Sequence, residues 1–423
     1  MRRRSEALTL PFHRTRRDPG KLTPTRPGMP TVGLFAGVGG IELGLARAGH
    51  QAKLLVELEP GARAVLQSRL SDIPLHDDVC TLRSLPKETE LLVGGFPCQD
   101  LSQAGKTRGI EGSRSGLVGE VFRLLRRKRV PWVLLENVPF MLQLSGGRAM
   151  EVIVATFEDL GYRWAYRVVN TRAFGLPQRR ERVLFLASRE DDPRDVLFAD
   201  EAGQPETPAN ALGRLACGFY WTEGIRGLGW AVDAVPTLKG GSSVGIPSPP
   251  AIVLPGGEVV TPDIRDAERM QGFAIDWTAP ALEVGRAGHR WKLVGNAVTV
   301  DVAEWVGMRL RAPSSAGRGV GGYPIREVRS WPRAAWNVGQ GRFAAELSAF
   351  PVQRPSVSLH EWLDFDPSPL SPKATAGFLN RTEQSSLNFP DGFLKLLEKH
   401  LKRMEAGKWA PPRRRARGER AVA

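Results

Sequence analysis

The chain has 423 residues, 42% of them hydrophobic and 25% charged, the make-up of an ordinary globular protein with two to three domains. No apolar run reaches the roughly 20 residues of a membrane span, no secretory leader follows the basic N-terminus, and three cysteines (Cys80, Cys98, Cys217) and six scattered histidines offer neither a disulfide framework nor metal-ligand spacing. The net charge of +14 points to a polyanionic partner, yet residues 1–28 carry +6 of it and residues 406–423 carry +5, so the middle of the chain is nearly balanced and nucleic-acid binding has to be argued from a site.

Residues 1–30 mix Arg, Pro, Thr and Gly with no apolar period, and read as a disordered basic arm. Met29 stands just before the first strand, which makes it an alternative start. From there short apolar runs alternate with helical patterns. Strands are predicted at 31–35, 52–57, 91–95, 132–136 and 182–187, and helices at 41–48, 61–69, 117–127 and 150–160. Apolar runs that do not alternate suit strands buried on both faces, and the β/α alternation implies an α/β fold, a doubly wound, mostly parallel sheet. Ligands on such sheets bind beyond the carboxyl ends of the strands. Residues 190–262 change character, with many Gly and Pro and few helical periods, and read as a smaller loop-rich domain. Residues 313–423 form an extension with scattered Trp, one amphipathic helix near 393–404, and a basic tail at Arg413–Arg420.

The chemistry-bearing residues fall just after strands. Phe35-Ala36-Gly37-Val38-Gly39-Gly40 joins a strand to a helix, where glycine lets a ligand approach the backbone, and Glu57 ends the next strand, where a carboxylate suits ribose hydroxyls. Glu42 holds the place of the third glycine of a dinucleotide fingerprint, which favours a nucleoside cofactor without phosphates. Cys98 follows Gly94-Gly95-Phe96-Pro97 on a constrained loop, unlike Cys80 and Cys217, although a lone cysteine is ordinarily a small buried hydrophobe. Glu136 ends a buried strand, a place for general acid work or for a salt bridge. Arg180 and Arg182 alternate along an extended run and point the same way, either to solvent or into a cleft.

Taken in order, FAGVGG at 35–40, VELEP with Glu57, DDV at Asp78, GGFPCQDLS at 94–102, RSGL at 114–117, LENV with Glu136, GLPQRRER at 175–182, RDAERMQGF at 265–273 and GNAVTV at 295–300 resemble the cytosine-5 DNA methyltransferases, over about residues 31–311. The resemblance implies a catalytic domain at 31–189 completed by 291–311, a target-recognition domain at 190–290, and a C-terminal extension from 312. It implies S-adenosyl-L-methionine as cofactor, held by Phe35, Gly37, Gly39, Gly40, Glu57, Leu58, Asp78, Val79, Pro97, Leu117, Asn296 and Val298. Cys98 would attack C6 of a cytosine flipped out of duplex DNA, Glu136 would bind N3, Arg182 would contact O2, and Arg180 would support the loop or a phosphate. Gln178, Ser102, Thr237, Leu238 and Arg269 would meet DNA, and the Gly-rich stretch from Lys239 would follow its backbone. The expected protein is a cytoplasmic monomer without metal, modifying DNA in a restriction–modification or related defence system. A tRNA cytosine-5 methyltransferase keeps the same chemistry on another substrate. A catalytically silent DNA-binding regulator would be expected to lose Cys98, Glu136 or the Gly-rich turn, all of which are present.

Overall fold

The computed structural model describes residues 22–97, 116–241, 248–326 and 330–409. Its centre is a run of five parallel strands, β1 (Pro30–Leu34), β2 (Gln51–Val56), β3 (Leu75–His76), β4 (Leu91–Gly95) and β5 (Trp132–Asn137), lying in the order β5-β4-β1-β2-β3. The residues of β4 and β5 are apolar without alternation because both faces of these strands are covered. Helices α1 (Gly40–Arg47), α2 (Pro60–Arg69), α3 (Leu117–Arg127) and α4 (Arg148–Asp159) accompany the strands. Glu59 caps α2 with its side chain, and Pro60 starts the helix, where a missing N–H costs nothing. The strand order reverses between β1 and β4, so a crevice opens there at the carboxyl ends.

Beyond β5 the sheet continues antiparallel. β6 (Arg163–Asn170) is followed by the short β7 (Gln178–Arg179) and by β8 (Glu181–Ser188), which lies between β5 and β6. The sequence gives no clear sign of β6, because Arg163 and Arg167 interrupt its apolar pattern. Arg167 is nonetheless fully buried, donating to the carbonyls of Leu197 at 2.9 Å and Ser348 at 2.7 Å and pairing with Glu201 at 2.6 Å.

A second sheet holds β9 (Cys217–Phe219), β10 (Ala231–Val232), β12 (Ala251–Val253) and β13 (Val259–Thr261), while β11 (Val235–Pro236) pairs with β7 and docks the smaller unit on the larger. Helices α5 (Ile264–Arg269), α6 (His289–Asn296) and α7 (Val300–Arg311) then bring the chain back, and α7 packs on α1. Val196, Leu197 and Phe198 belong to the large core although they follow residue 190.

The C-terminal extension serves both units. β14 (Gly322–Pro324), β15 (Ala334–Asn337) and β16 (Phe343–Ala345) bring the large sheet to ten strands. Arg342 fastens them by ion pairs to Glu151 and Glu158, both at 2.7 Å. The chain then crosses over, Leu359 N–H donating to Asp233 and the N–H groups of Asp364 and Phe365 to Asp266. β17 (Ser368–Pro369) adds an edge to the small sheet at β13. Helices α8 (Pro372–Glu383) and α9 (Phe393–Glu405) cover that sheet, with Phe219 held edge-on between Phe378 and Phe393. Among the described residues no helix is long and apolar enough to cross a membrane, and no cluster of three His, Cys, Asp or Glu is placed to hold a metal.

Two buried polar groups shape this architecture. The Arg180 guanidinium donates to the carbonyls of Leu238 at 3.2 Å, Gly295 at 3.1 Å and Ala297 at 2.7 Å. Behind the Gly-rich turn, Glu42 lies buried against Gly33, where a Cβ would stand 2.1 Å from its carboxyl oxygen. Burial pushes the Glu42 carboxyl up to about 7, and the charge of Glu57 adds to the rise.

Both groups give measurable consequences. Arg180→Met leaves three carbonyls without their donor, so urea unfolding should show a loss of about 3–5 kcal/mol. Arg180→Lys should recover only part of this, since an ammonium cannot fork to three acceptors in the same way. For Glu42 the folded value lies above the ordinary 4.5, so the folded state binds the extra proton. The associated stability is present below about pH 4.5 and lost as pH rises through about 7. Glu42→Gln should remove that slope and exceed the parent protein in stability at pH 8 by up to about 3 kcal/mol; equal pH profiles for the two proteins would count against the buried acid.

Candidate active site

The carboxyl ends of β1, β2 and β4 open on a cavity of about 490 Å³. Phe35, Gly37, Glu57, Leu58, Asp78, Val79, Pro97, Leu117 and Asn296 all line it. Glu57 is the organiser of this wall. Its Oε2 accepts from Gly37 N–H at 2.7 Å and its Oε1 from Glu59 N–H at 2.8 Å, so the carboxylate shapes both turns while each oxygen keeps a second lone pair. Burial pushes the Glu57 carboxyl up, against the lowering effect of these N–H groups. Gly37 has a φ of +57° and faces open space, so the turn needs glycine for its backbone and leaves room for a ligand.

Gly39, Gly40 and Val298 do not line this cavity. Gly39 stands just before α1 against Leu66 and Leu70, and Gly40 abuts the Val298 carbonyl, which presses the start of the helix against the segment after α6. The cavity also has members that the sequence did not disclose. Glu59 and Lys292 are among them, and Glu59 accepts from Ala62 N–H at 2.6 Å and meets His289 Nε2 at 2.8 Å. Burial pushes the Glu59 carboxyl up, but the N–H groups of Ala62 and Gly61 together with His289 outweigh it and hold it low. A Glu-Pro pair such as Glu59-Pro60 is a helix-start signal that could have pointed to Glu59; nothing in sequence marked Lys292.

A second, more open cavity of about 730 Å³ lies between the two units. Val138, Pro139, Phe140 and Arg182 line it on one side, and Tyr220, Thr237 and Lys239 on the other. Asn296 lines both cavities. Arg182 Nε pairs at 2.8 Å with Glu136, whose carboxylate is buried at the end of β5. Burial pulls the Arg182 guanidinium below its ordinary value, and the Glu136 charge works against that. A Cβ on Gly95 would stand 3.1 Å from Glu136 Oε2, so the bare backbone of β4 gives this carboxylate its space. Asn137 Nδ2 donates to the Phe96 carbonyl at 3.0 Å, fixing the segment that leads into Cys98. Cys98 and Ser102 themselves lie outside the described residues.

Four side chains expected at the reaction or at DNA make their contacts within the protein. Arg180 is fully buried on its three carbonyls, with its guanidinium pulled well down by burial and by Arg182. It supports the loop, and no surface is left for a phosphate. Gln178 is buried as well: its Nε2 donates to the Met270 carbonyl at 3.0 Å and its Oε1 accepts from Leu238 N–H at 3.1 Å. Leu238 is core. Arg269 donates at 2.8 Å to the Trp362 carbonyl and pairs with Asp266 at 2.7 Å and Asp364 at 3.0 Å, so its guanidinium ties α5 to the C-terminal extension. Thr237 does reach the interdomain cavity, although its hydroxyl donates to the Arg179 carbonyl. Tyr220 and Lys239 face the same space, with Lys239 Nζ 3.6 Å above the Tyr220 ring and paired with Glu223. Lys239 opens the Gly-rich stretch that the sequence had marked, whereas nothing in the loop-rich sequence marked Tyr220.

The chain is similar to known proteins over most of its length. The family model described as C-5 cytosine-specific DNA methylase matches residues 29–215. The chain is 45% identical over 383 residues to the type II methyltransferase M2.BsuMI of Bacillus subtilis, a match covering 88% of this chain and 98% of that one. It is 34% identical over 299 residues to the type II methyltransferase M.NgoBI of Neisseria gonorrhoeae, covering 65% of this chain and 90% of that one. With the type II methyltransferase M.PspPI of a Psychrobacter species it shares 30% identity over 325 residues, covering 65% and 77%.

Proposed function

The chain belongs to the C-5 cytosine-specific DNA methylase family, and on that premise we propose that it methylates carbon 5 of a cytosine flipped out of duplex DNA, through a covalent adduct on Cys98, as the modification member of a restriction–modification system. The observation that carries this reading is the meeting of two cavities. The one beside Glu57 suits a nucleoside and the one beside Arg182 suits a base, and they share Asn296.

The residues of the smaller cavity fit S-adenosyl-L-methionine. Glu57 has free lone pairs for ribose hydroxyls, and Asp78 offers a carboxylate to an amino group. Phe35 supplies an apolar face, and Leu58, which is 65% exposed despite being apolar, supplies another that a bound ring would cover. When bound, the cofactor supplies an electrophilic methyl group on a sulfonium.

The chain's own residues make C5 able to take it. Cytosine C5 is a poor nucleophile, so the Cys98 thiolate adds to C6 and leaves an enamine whose C5 is electron-rich. Glu136 holds N3 and offsets the charge that develops on the ring. Arg182 keeps Glu136 in place and presents donors to O2. After transfer a base removes the C5 proton and the Cys98–C6 bond breaks, which restores the aromatic ring and the thiolate. Asn137 aligns the segment before Cys98 through the Phe96 carbonyl. Flipping costs a few kcal/mol of stacking, which contacts in the larger cavity offset.

Incubation with S-adenosyl-L-methionine and duplex DNA carrying 5-fluorocytosine should give a denaturation-resistant adduct, because fluorine does not leave as a proton would. Cys98→Ala should give none; an adduct of equal yield in that variant would overturn the assignment. Glu136→Gln should lower kcat by about 10²–10⁴-fold while cofactor affinity, measured by calorimetry, stays within about twofold.

A further inference from the structure

The segment at residues 220–225 is held from two sides. Towards the interdomain cavity, Tyr220 OH donates to the Thr237 carbonyl at 2.8 Å, and Glu223 pairs with Lys239. Towards the C-terminal extension, the same few residues rest on α8. Arg381 Nε donates to the Glu223 carbonyl at 2.8 Å and its Nη2 to the Trp221 carbonyl at 2.6 Å. Ser385 Oγ donates to the Ile225 carbonyl at 3.1 Å. Between them Gly224, at φ +117°, lies so close to Phe378 that an added Cβ would stand 3.1 Å from the ring. A forked guanidinium reaches two carbonyls two residues apart only when the backbone between them is curved, so Arg381 selects the shape of the loop. Burial pulls the Arg381 guanidinium below its ordinary value, in keeping with a cation set under the loop to serve its carbonyls.

We propose that the helix pair α8–α9 is part of the apparatus that reads the DNA target, with Arg381 as the positioning residue of segment 220–225; this rests on the reading of the interdomain cavity as the place where duplex DNA is held. Tyr220 and Lys239 line that cavity, and their placement depends on a loop whose underside is built by the extension. Lys239 offers a cation and Tyr220 a ring, groups suited to backbone phosphate and to a base face. Sequence discrimination depends on placing a few side chains to a fraction of an ångström, so a loop that loses its curvature loses selectivity before it loses the chemistry, which lies across the cavity at Glu136.

The test measures discrimination within one enzyme sample, which does not depend on the active fraction. Full-length protein and Arg381→Ala methylate a randomised plasmid library with S-adenosyl-L-methionine, and bisulfite sequencing ranks the sites. Arg381→Ala should keep cofactor affinity within about twofold, while its ratio of methylation at the preferred site to sites with one mismatch falls about tenfold. Arg381→Lys should restore only part of the ratio. Ser385→Ala, which removes one hydroxyl at the helix end, should show a smaller fall and keeps the test open if Arg381→Ala does not fold. An unchanged ratio in Arg381→Ala, or in Ser385→Ala should that be the folded variant, overturns the proposal while leaving the methylation reading intact. Wild-type protein that methylates no duplex DNA overturns both.

Discussion

Three carbonyl oxygens from two distant stretches of chain converge on the buried guanidinium of Arg180, and the placement of both cavities follows from that convergence. Leu238 belongs to the small unit and leads into the Lys239–Gly241 wall, while Gly295 and Ala297 flank Asn296, which stands between the cavities. A charged group out of water tolerates little displacement of its acceptors, so it sets the relation of the two units more tightly than apolar contact would. Gln178 lies two residues before Arg180 and Arg182 two residues after, and the chain turns tightly between the first two, the Arg180 N–H donating to the Gln178 carbonyl at 3.0 Å. One edge of chain thus supplies a brace, the central tie, and the cavity-facing partner of Glu136.

Methyl transfer needs two ligands close together yet separately gripped. The strand order meets the first need, because the crevice between β1 and β4 puts the Gly-rich turn beside the end of β5. The glycine at 95 bears on the second: a Cβ there would stand 3.1 Å from Glu136 Oε2 and crowd the carboxylate that lies against β4. Asn137 then works in the opposite direction from its neighbour, away from the cavity and into the backbone before Cys98. Adjacent residues on one strand therefore face opposite ways, one paired with Arg182 and the other tied to the backbone that leads into Cys98.

The parallel half of the sheet was legible in sequence because a strand buried on both faces is written as a plain apolar run, as in Leu91–Gly95 and Trp132–Asn137. β6 was not, because its Arg167 is neutralised by partners as remote in sequence as Ser348, which no local pattern displays. The cavity beside Glu57 was readable for a related reason: Phe35, Glu57, Asp78 and Pro97 each follow a strand, so topology alone brings them together. The burial of Gln178 and Arg180 was not legible, since a polar residue in a charged run looks the same whether solvent, a cleft or a ring of carbonyls surrounds it. The cavity wall built by Tyr220 and Lys239 depends on loop curvature set from the far end of the chain, and that information is not local at all.

The edge strand β17 and the two helices after it bear on how the protein is made. During synthesis the ribosome releases residues 217–261 long before residue 368, so four strands of the small sheet emerge while their fifth neighbour and their covering aromatic residues are still unmade. Until then Phe219 and Val253 have no Phe378, Phe393 or Leu397 to pack on. A transcript cut anywhere between codons 312 and 368 would encode every recognisable motif of the family and yet yield a protein whose smaller unit lacks the covering part of its core. Counting motifs in a gene thus overstates what a shortened product can do, and the nascent protein is exposed to proteases for as long as its last hundred residues take to appear.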